Sequence, residues 1–221
     1  MEELTMIEQK SVEWYRQRIG KFTSSRLSDL LIENKQKNGF GEKAISYIYE
    51  VAAERSLSNQ FLNGDGFEMY INRISMTSKP IRWGEEFEDM ARECLSEKLE
   101  CEIFKSEFLQ VNDYFGDSAD GYFIDKRGIE IPVEIKCPTP ATHKRYCQIE
   151  NENDLMCEKK EYYIQCQGHI IARNAPYCLF VSFDPMQKNK LHIINVSRNN
   201  SIIELINKKI DLANEVISIL K

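Results

Sequence analysis

The sequence predicts an α/β or α+β fold in which helices cover a sheet, and three observations carry that expectation. Apolar residues recur at helical spacing through the first half, the period drops to two near residue 101, and helical and two-residue periods alternate from about residue 159. With 221 residues, 42% hydrophobic and 29% charged, the chain is long enough for one sizeable core, or at most two small ones. The same composition excludes disorder, collagen and coiled-coil arrays.

Taken in order, Ser11 caps a short helix carrying Val12, Trp14 and Tyr15, and Gly20 ends it. TSSRLSDLLI begins a second helix, with Thr23 or Ser24 as N-cap and Leu27, Leu30 and Leu31 at helical spacing. Residues 42–55 repeat the pattern with Ala44, Ile45, Ile48, Val51 and Ala52. Residues 56–67, rich in Asn, Gly and Ser, read as the one linker-like stretch; no composition shift flanks it, so a single domain over 1–221 is expected. Beyond Pro80, residues 84–99 place Phe87, Met90, Ala91, Cys94, Leu95 and Leu99 on one helix face. CEIFK (101–105), EFLQV (107–111), GYFID (121–125) and IEIPVEIK (129–136) read as strands, with Asp120-Gly121 as a hairpin-type turn. A helix over about 159–173, strands at 177–183 and 190–196, and a helix over about 200–220 complete the chain.

The longest apolar run, Tyr177 to Val181, is five residues, against the roughly 18 of a membrane span. The acidic, polar N-terminus is unlike a signal peptide, so a soluble intracellular protein with no membrane partner is expected. Seven cysteines without CxxC spacing suggest reduced, mostly buried thiols, and with three scattered histidines neither zinc nor an iron–sulfur cluster is expected. The net charge of −6 argues against a uniformly basic, duplex-binding coat, yet residues 83–130 alone carry −9 and the rest of the chain +3. Positive charge can therefore still line one channel.

The informative stretch is GDSADGYFIDKRGIEIPVEIKCP, residues 116–138. Glu134 and Lys136 lie two apart in a strand, roughly 7 Å from each other on one side, while Val133 and Ile135 point to the other. With Asp120 at the end of the neighbouring strand, two carboxylates and an ammonium converge. Such a set suits Mg²⁺, which takes one or two carboxylates, several waters and substrate phosphate oxygens, and so suits phosphodiester hydrolysis. The plain alternative is a turn at Asp-Gly and an ion pair on a solvated strand face.

Further segments accompany this motif: WYRQRIGKFTSSRL near the start, RWGEEFEDMAR on the long helix, YYIQCQ on the later helix and FVSFDP in the late strand. Together with Asp-x(n)-Glu-x-Lys, the PD-(D/E)XK nuclease pattern, they make the chain resemble the phage-type exonucleases of the lambda exonuclease or YqaJ family, from Trp14 to about Pro185. The resemblance implies a restriction-endonuclease-like core, a central mixed sheet of about five strands flanked by helices. It implies Asp120 and Glu134 as metal ligands, the main-chain carbonyl of Ile135 as a further ligand, and Lys136 as the catalytic lysine. Glu88 matches a helix glutamate that reaches the metal centre, its plain alternative being an exposed glutamate paired with Arg92; Gln165 matches the glutamine on the flanking helix. Arg18 and Ser25, with Thr23 in the same segment, fall where the family binds a terminal 5′-phosphate, a role suited to a guanidinium fork and to hydroxyls at a helix start. Otherwise Arg18 is a solvated helix residue. Lys35 and Lys37 are candidate strand contacts, and Ile81 falls at the position of an apolar wedge that splits the terminal base pair, or is a core isoleucine.

The implied activity is a Mg²⁺-dependent exonuclease, with Mn²⁺ as a substitute, that degrades linear double-stranded DNA 5′ to 3′ from a phosphorylated end to mononucleotides and leaves a 3′ overhang. The resemblance further implies a homotrimeric ring, a single-strand annealing partner, and a cytoplasmic location in a bacterial or phage-infected cell. An endonuclease of the same superfamily and a non-catalytic DNA-end-binding protein are the rival expectations.

Overall fold

The structure, a computed structural model, describes residues 7, 9, 11–36, 39–74 and 79–220, with only the backbone over 79–86. Lys37 and the side chain of Ile81 lie outside the described residues. In chain order the elements are α1 (Val12–Arg18), β1 (Phe22–Thr23), α2 (Leu27–Leu30), α3 (Glu42–Arg55), α4 (Gly64–Ile74), α5 (Lys79–Leu99), β2 (Leu109–Gln110) and β3 (Phe115–Asp117). There follow β4 (Gly121–Ile124), β5 (Glu130–Lys136), α6 (Pro140–Tyr146), α7 (Glu152–Glu158), α8 (Lys160–Arg173), β6 (Tyr177–Phe183), β7 (Leu191–Ser197) and α9 (Asn200–Ile219). Short 3-10 turns lie at Ser24–Arg26 and Asn59–Phe61. The chain packs as two compact units, each assembled from separate stretches of sequence.

The first unit takes in residues 1–76, 107–118 and 204–221. Its sheet has the order β1-β3-β2, with β1 parallel and β2 antiparallel to β3. Ser11 caps α1 through Trp14 N–H, and Gly20 turns the chain at φ +72°, a left-handed conformation that favours glycine. α2 packs on α3, whose inner face is Ala44, Tyr47, Ile48 and Val51, and the Phe22 ring meets Tyr47 edge-on. Gly116 in β3 lies under Phe108, where an added Cβ would come 2.0 Å from the ring. The helix expected from Thr23 is a 3-10 turn followed by the four residues of α2.

The second unit takes in residues 77–106 and 119–203 and holds the mixed sheet β4-β5-β6-β7, antiparallel, parallel and antiparallel in turn. The α/β class expected from the sequence is present, its helix-flanked mixed sheet having four strands, with the three short strands of the first unit forming a second sheet. One face, with Ile131, Val133, Ile135, Leu179, Val181 and Phe183, packs on Ala91 and Leu95 of α5. Fully burying a side chain of this size stabilises by roughly 1.5–3 kcal/mol. α8 also packs on β5 and β6. There Phe180 stacks on Tyr162, and the fully buried Glu134 meets α8.

Two local expectations need correction. Asp120-Gly121 is not the hairpin turn: Asp120 precedes β4, and the β4–β5 turn lies at Asp125–Gly128. There the Asp125 carboxylate accepts from the N–H groups of Arg127 and Ile129, and Gly128 adopts φ +78°. CEIFK forms no strand, only a bridge from Phe104 to Tyr122, and EFLQV pairs only over Leu109–Gln110.

Candidate active site

Antiparallel pairing of β4 with β5 sets Gly121 opposite Val133, which brings Asp120 beside the middle of β5. Asp120 is clamped there. Its N–H donates to the Val133 carbonyl at 3.1 Å, its Oδ2 accepts from Ile135 N–H at 2.6 Å, and its carbonyl accepts from Arg92 Nη1 at 2.9 Å. Glu134 is fully buried, with Lys136 Nζ paired to its Oε1 and His169 Nε2 at 2.7 Å from its Oε2. Lys136 lies over the Tyr162 ring, 5.2 Å from its centroid.

The expected carboxylate–carboxylate–ammonium group is therefore assembled, and Glu134 does not lie on a solvated face. Glu88, on α5, stands 4.0 Å from Arg92 and adds negative charge near Asp120. Gln165 is buried on α8 one turn before His169. Ile135 donates its N–H to Asp120, so its main chain belongs to the same cluster.

The electrostatics follow from crowding charges into a part-buried space. Burial, and then the negative charge of Glu134, raise the Asp120 carboxyl to about 7. Burial also works to raise Glu134, but Lys136 and the His169 hydrogen bond outweigh it and hold Glu134 below the ordinary range. Burial works to lower Lys136, yet Glu134 and Asp120 raise it, so its ammonium keeps its proton. Burial pushes the Cys137 thiol up to about 12, which makes it a packing residue rather than a nucleophile.

Among the described residues no three His, Cys, Asp or Glu side chains gather closely enough to hold a metal by themselves. Two neighbouring carboxylates, one raised by burial and by the other's charge, remain a donor set for a hard cation that keeps waters and takes substrate oxygens.

In the first unit, Arg18 is half-buried with its guanidinium 4.0 Å over the Trp14 ring, donating to Ser118 Oγ at 3.3 Å and Thr23 Oγ1 at 3.4 Å. It is not a solvated helix residue, and burial lowers its pKa. Ser25 is exposed, its hydroxyl 3.4 Å from that of Thr23. Because a single 3-10 turn and four helical residues supply few aligned amides, the expected helix-start contribution to anion binding is reduced to these side chains. A cavity of about 630 Å³ is lined by Arg18, Lys21, Thr23 and Arg26 as well as by Glu50 and Glu54. Lys35 is exposed in a turn.

Comparison with known proteins adds a family. The model of the YqaJ-like viral recombinase domain matches residues 13–174. The chain belongs to the YqaJ-like viral recombinase family. Among solved structures, an alkaline exonuclease from Laribacter hongkongensis is 21% identical with a TM-score of 0.72, covering 94% of this chain and 93% of its own. The same exonuclease in complex with dAMP is 20% identical, with a TM-score of 0.73 over 94% and 93% of the two chains. A phage-related exonuclease from Haemophilus somnus 129PT is 17% identical with a TM-score of 0.65, over 89% and 93%. At these identities the likeness is one of fold. Comparison with curated proteins finds no match.

Two members of the YqaJ-like chain's polar clusters, His169 and Ser118, escape a reading of its sequence, and Arg92 shows there only as a partner for Glu88. Histidines sought as metal ligands at short spacing do not single out His169, whose one sequence signal is its place four residues after Gln165. Ser118 and Arg92 join through pairings remote in sequence, Ser118 with Arg18 and Arg92 with the Asp120 carbonyl.

Proposed function

We propose that this protein is a Mg²⁺-dependent exonuclease that degrades one strand of linear double-stranded DNA from a 5′-phosphorylated end, 5′ to 3′, releasing mononucleotides and leaving a 3′ single strand. The observation that carries this reading is the convergence of Asp120, Glu134 and Lys136 at one point in a chain of the YqaJ-like family. The fold's neighbours, an alkaline exonuclease and a phage-related exonuclease, support the same reaction class.

In this reading Asp120, Glu134 and the main-chain carbonyl of Ile135 hold Mg²⁺, Mn²⁺ serving in its place, with Glu88 reaching the same centre. Bound there, the ion lowers the pKa of a water and offsets charge on the phosphoryl group. Lys136 acts as a cation and hydrogen-bond donor that orients the water and stabilises the hydroxide beside Glu134. Gln165 flanks the site on α8. Arg18, Thr23 and Ser25 bind the terminal phosphate, the guanidinium held in place by the Trp14 ring. Lys35, Lys37 and Ile81 contact the strands near the fork. A homotrimeric ring, hand-over of the 3′ strand to a single-strand annealing protein and a cytoplasmic location complete the proposal.

The test is incubation of the purified protein with linear and covalently closed circular duplex, with and without Mg²⁺. Linear DNA with 5′-phosphate ends is expected to be digested only with Mg²⁺, while the circle stays intact. Cleavage of the circle would make the protein an endonuclease, and binding without digestion would make it an end-binding protein.

A further inference from the structure

Glu134 is the one fully buried carboxylate of the candidate site, and its two oxygens meet different partners. Oε1 takes the ammonium of Lys136, two residues on in the same strand. Oε2 lies 2.7 Å from Nε2 of His169, itself fully buried on α8. A carboxylate that ligates a cation is ionised and only accepts, so in that role the 2.7 Å contact is a donation from His169 Nε2.

We infer that His169 is a positioning residue: by hydrogen-bonding one oxygen of Glu134 to α8 it fixes the carboxylate's plane, so that Glu134 presents its other side to the cation without rotating. A glutamate has three side-chain torsions, and a strand alone leaves the last of them broad and roughly two-fold. A charge-assisted hydrogen bond from a side chain on a different element removes that freedom before the cation arrives. Groups that orient a ligating carboxylate in this way commonly contribute 10- to 100-fold in metal affinity. The inference rests on the ligand role proposed above for Glu134.

The test reads Mn²⁺ alone, without DNA, by the loss of the free-ion electron paramagnetic resonance signal on titration into the wild type and into His169→Phe, His169→Asn and His169→Gln. Phe keeps the ring shape and has no donor, Asn keeps a polar amide that is too short, and Gln reaches about as far as Nε2. We expect Mn²⁺ affinity to fall at least about tenfold in Phe and Asn. Gln is expected to stay within about threefold of the wild type, a rescue that a merely space-filling histidine does not predict. Wild-type affinity in a folded Phe or Asn variant, or a folded Gln variant as weak as Asn, would overturn the inference. The Asn–Gln contrast decides the matter if Phe does not fold. A wild type that binds no Mn²⁺ at millimolar concentration overturns the metal reading itself, and the inference with it.

Discussion

In the metal-free protein, Asp120→Asn should raise stability by an amount that grows from about pH 4 to pH 7 and is constant above that. Asp120 has a carboxyl raised from 3.8 to about 7 in the folded chain, first by burial and then by Glu134. Its folded pKa is the higher one, so between about pH 4 and 7 the folded chain binds a proton that the unfolded chain has lost, and stability falls as pH rises through that window. Three pH units at about 1.4 kcal/mol each set a ceiling of about 4 kcal/mol. Asp120 is only partly buried, and solvent screening brings the expected effect to about 2 kcal/mol. Asparagine removes the charge and keeps an oxygen that can accept the Ile135 N–H. Urea denaturation in excess EDTA at pH 4.5 and pH 8 measures this: the variant should exceed the wild type by about 0.5 kcal/mol at pH 4.5 and by about 2 kcal/mol at pH 8. Replacing the EDTA with millimolar Mg²⁺ at pH 8 should shrink the gap, because the ion binds the folded wild type more tightly. A stability difference that stays constant across pH would refute the claim that burial and the charge of Glu134 raise the Asp120 carboxyl in the folded chain.

Two further perturbations follow from the first unit. Arg18→Ala removes the guanidinium between Trp14, Ser118 and Thr23, and should raise KM for 5′-phosphorylated ends about 10- to 100-fold while leaving dephosphorylated ends nearly unaffected; equal loss on both would contradict a phosphate role. Gly116→Ala drives a methyl group to 2.0 Å from the Phe108 ring and should cost about 1–3 kcal/mol in denaturant unfolding, whereas an unchanged midpoint would mean that the ring moves freely.

What was legible in the sequence was what a short period can encode. The alternation of β5 is real: Val133 and Ile135 face the α5 core, and Glu134 and Lys136 face α8. α3, α8 and α9 fall within a residue or two of their expected bounds because their buried faces are long enough to show a helical period. α4 was hidden by its glycines. Gly66 reads as linker, but an added Cβ there would come 1.9 Å from the Gln60 carbonyl, so the glycine marks close packing of the helix on the turn before it. α6 and α7 are seven residues each, polar, and begun by Pro140 and capped by Asn151, too short for an apolar period to appear. CEIFK alternates like a strand, yet only Phe104 exchanges backbone hydrogen bonds with Tyr122. Within the candidate site, residues two apart on one strand were readable, while the His169–Glu134 contact spans 35 positions and exists only once α8 packs on β5.

The account stands most directly on the rate of nucleotide release from a linear 5′-phosphorylated duplex in Mg²⁺, measured for the wild type, Lys136→Ala and Glu134→Gln with folding checked by thermal melting. Removing the fixed cation or one ligand charge should lower that rate about 10²- to 10⁴-fold. Near wild-type rates in either folded variant would contradict the assignment of phosphodiester hydrolysis to Asp120, Glu134 and Lys136.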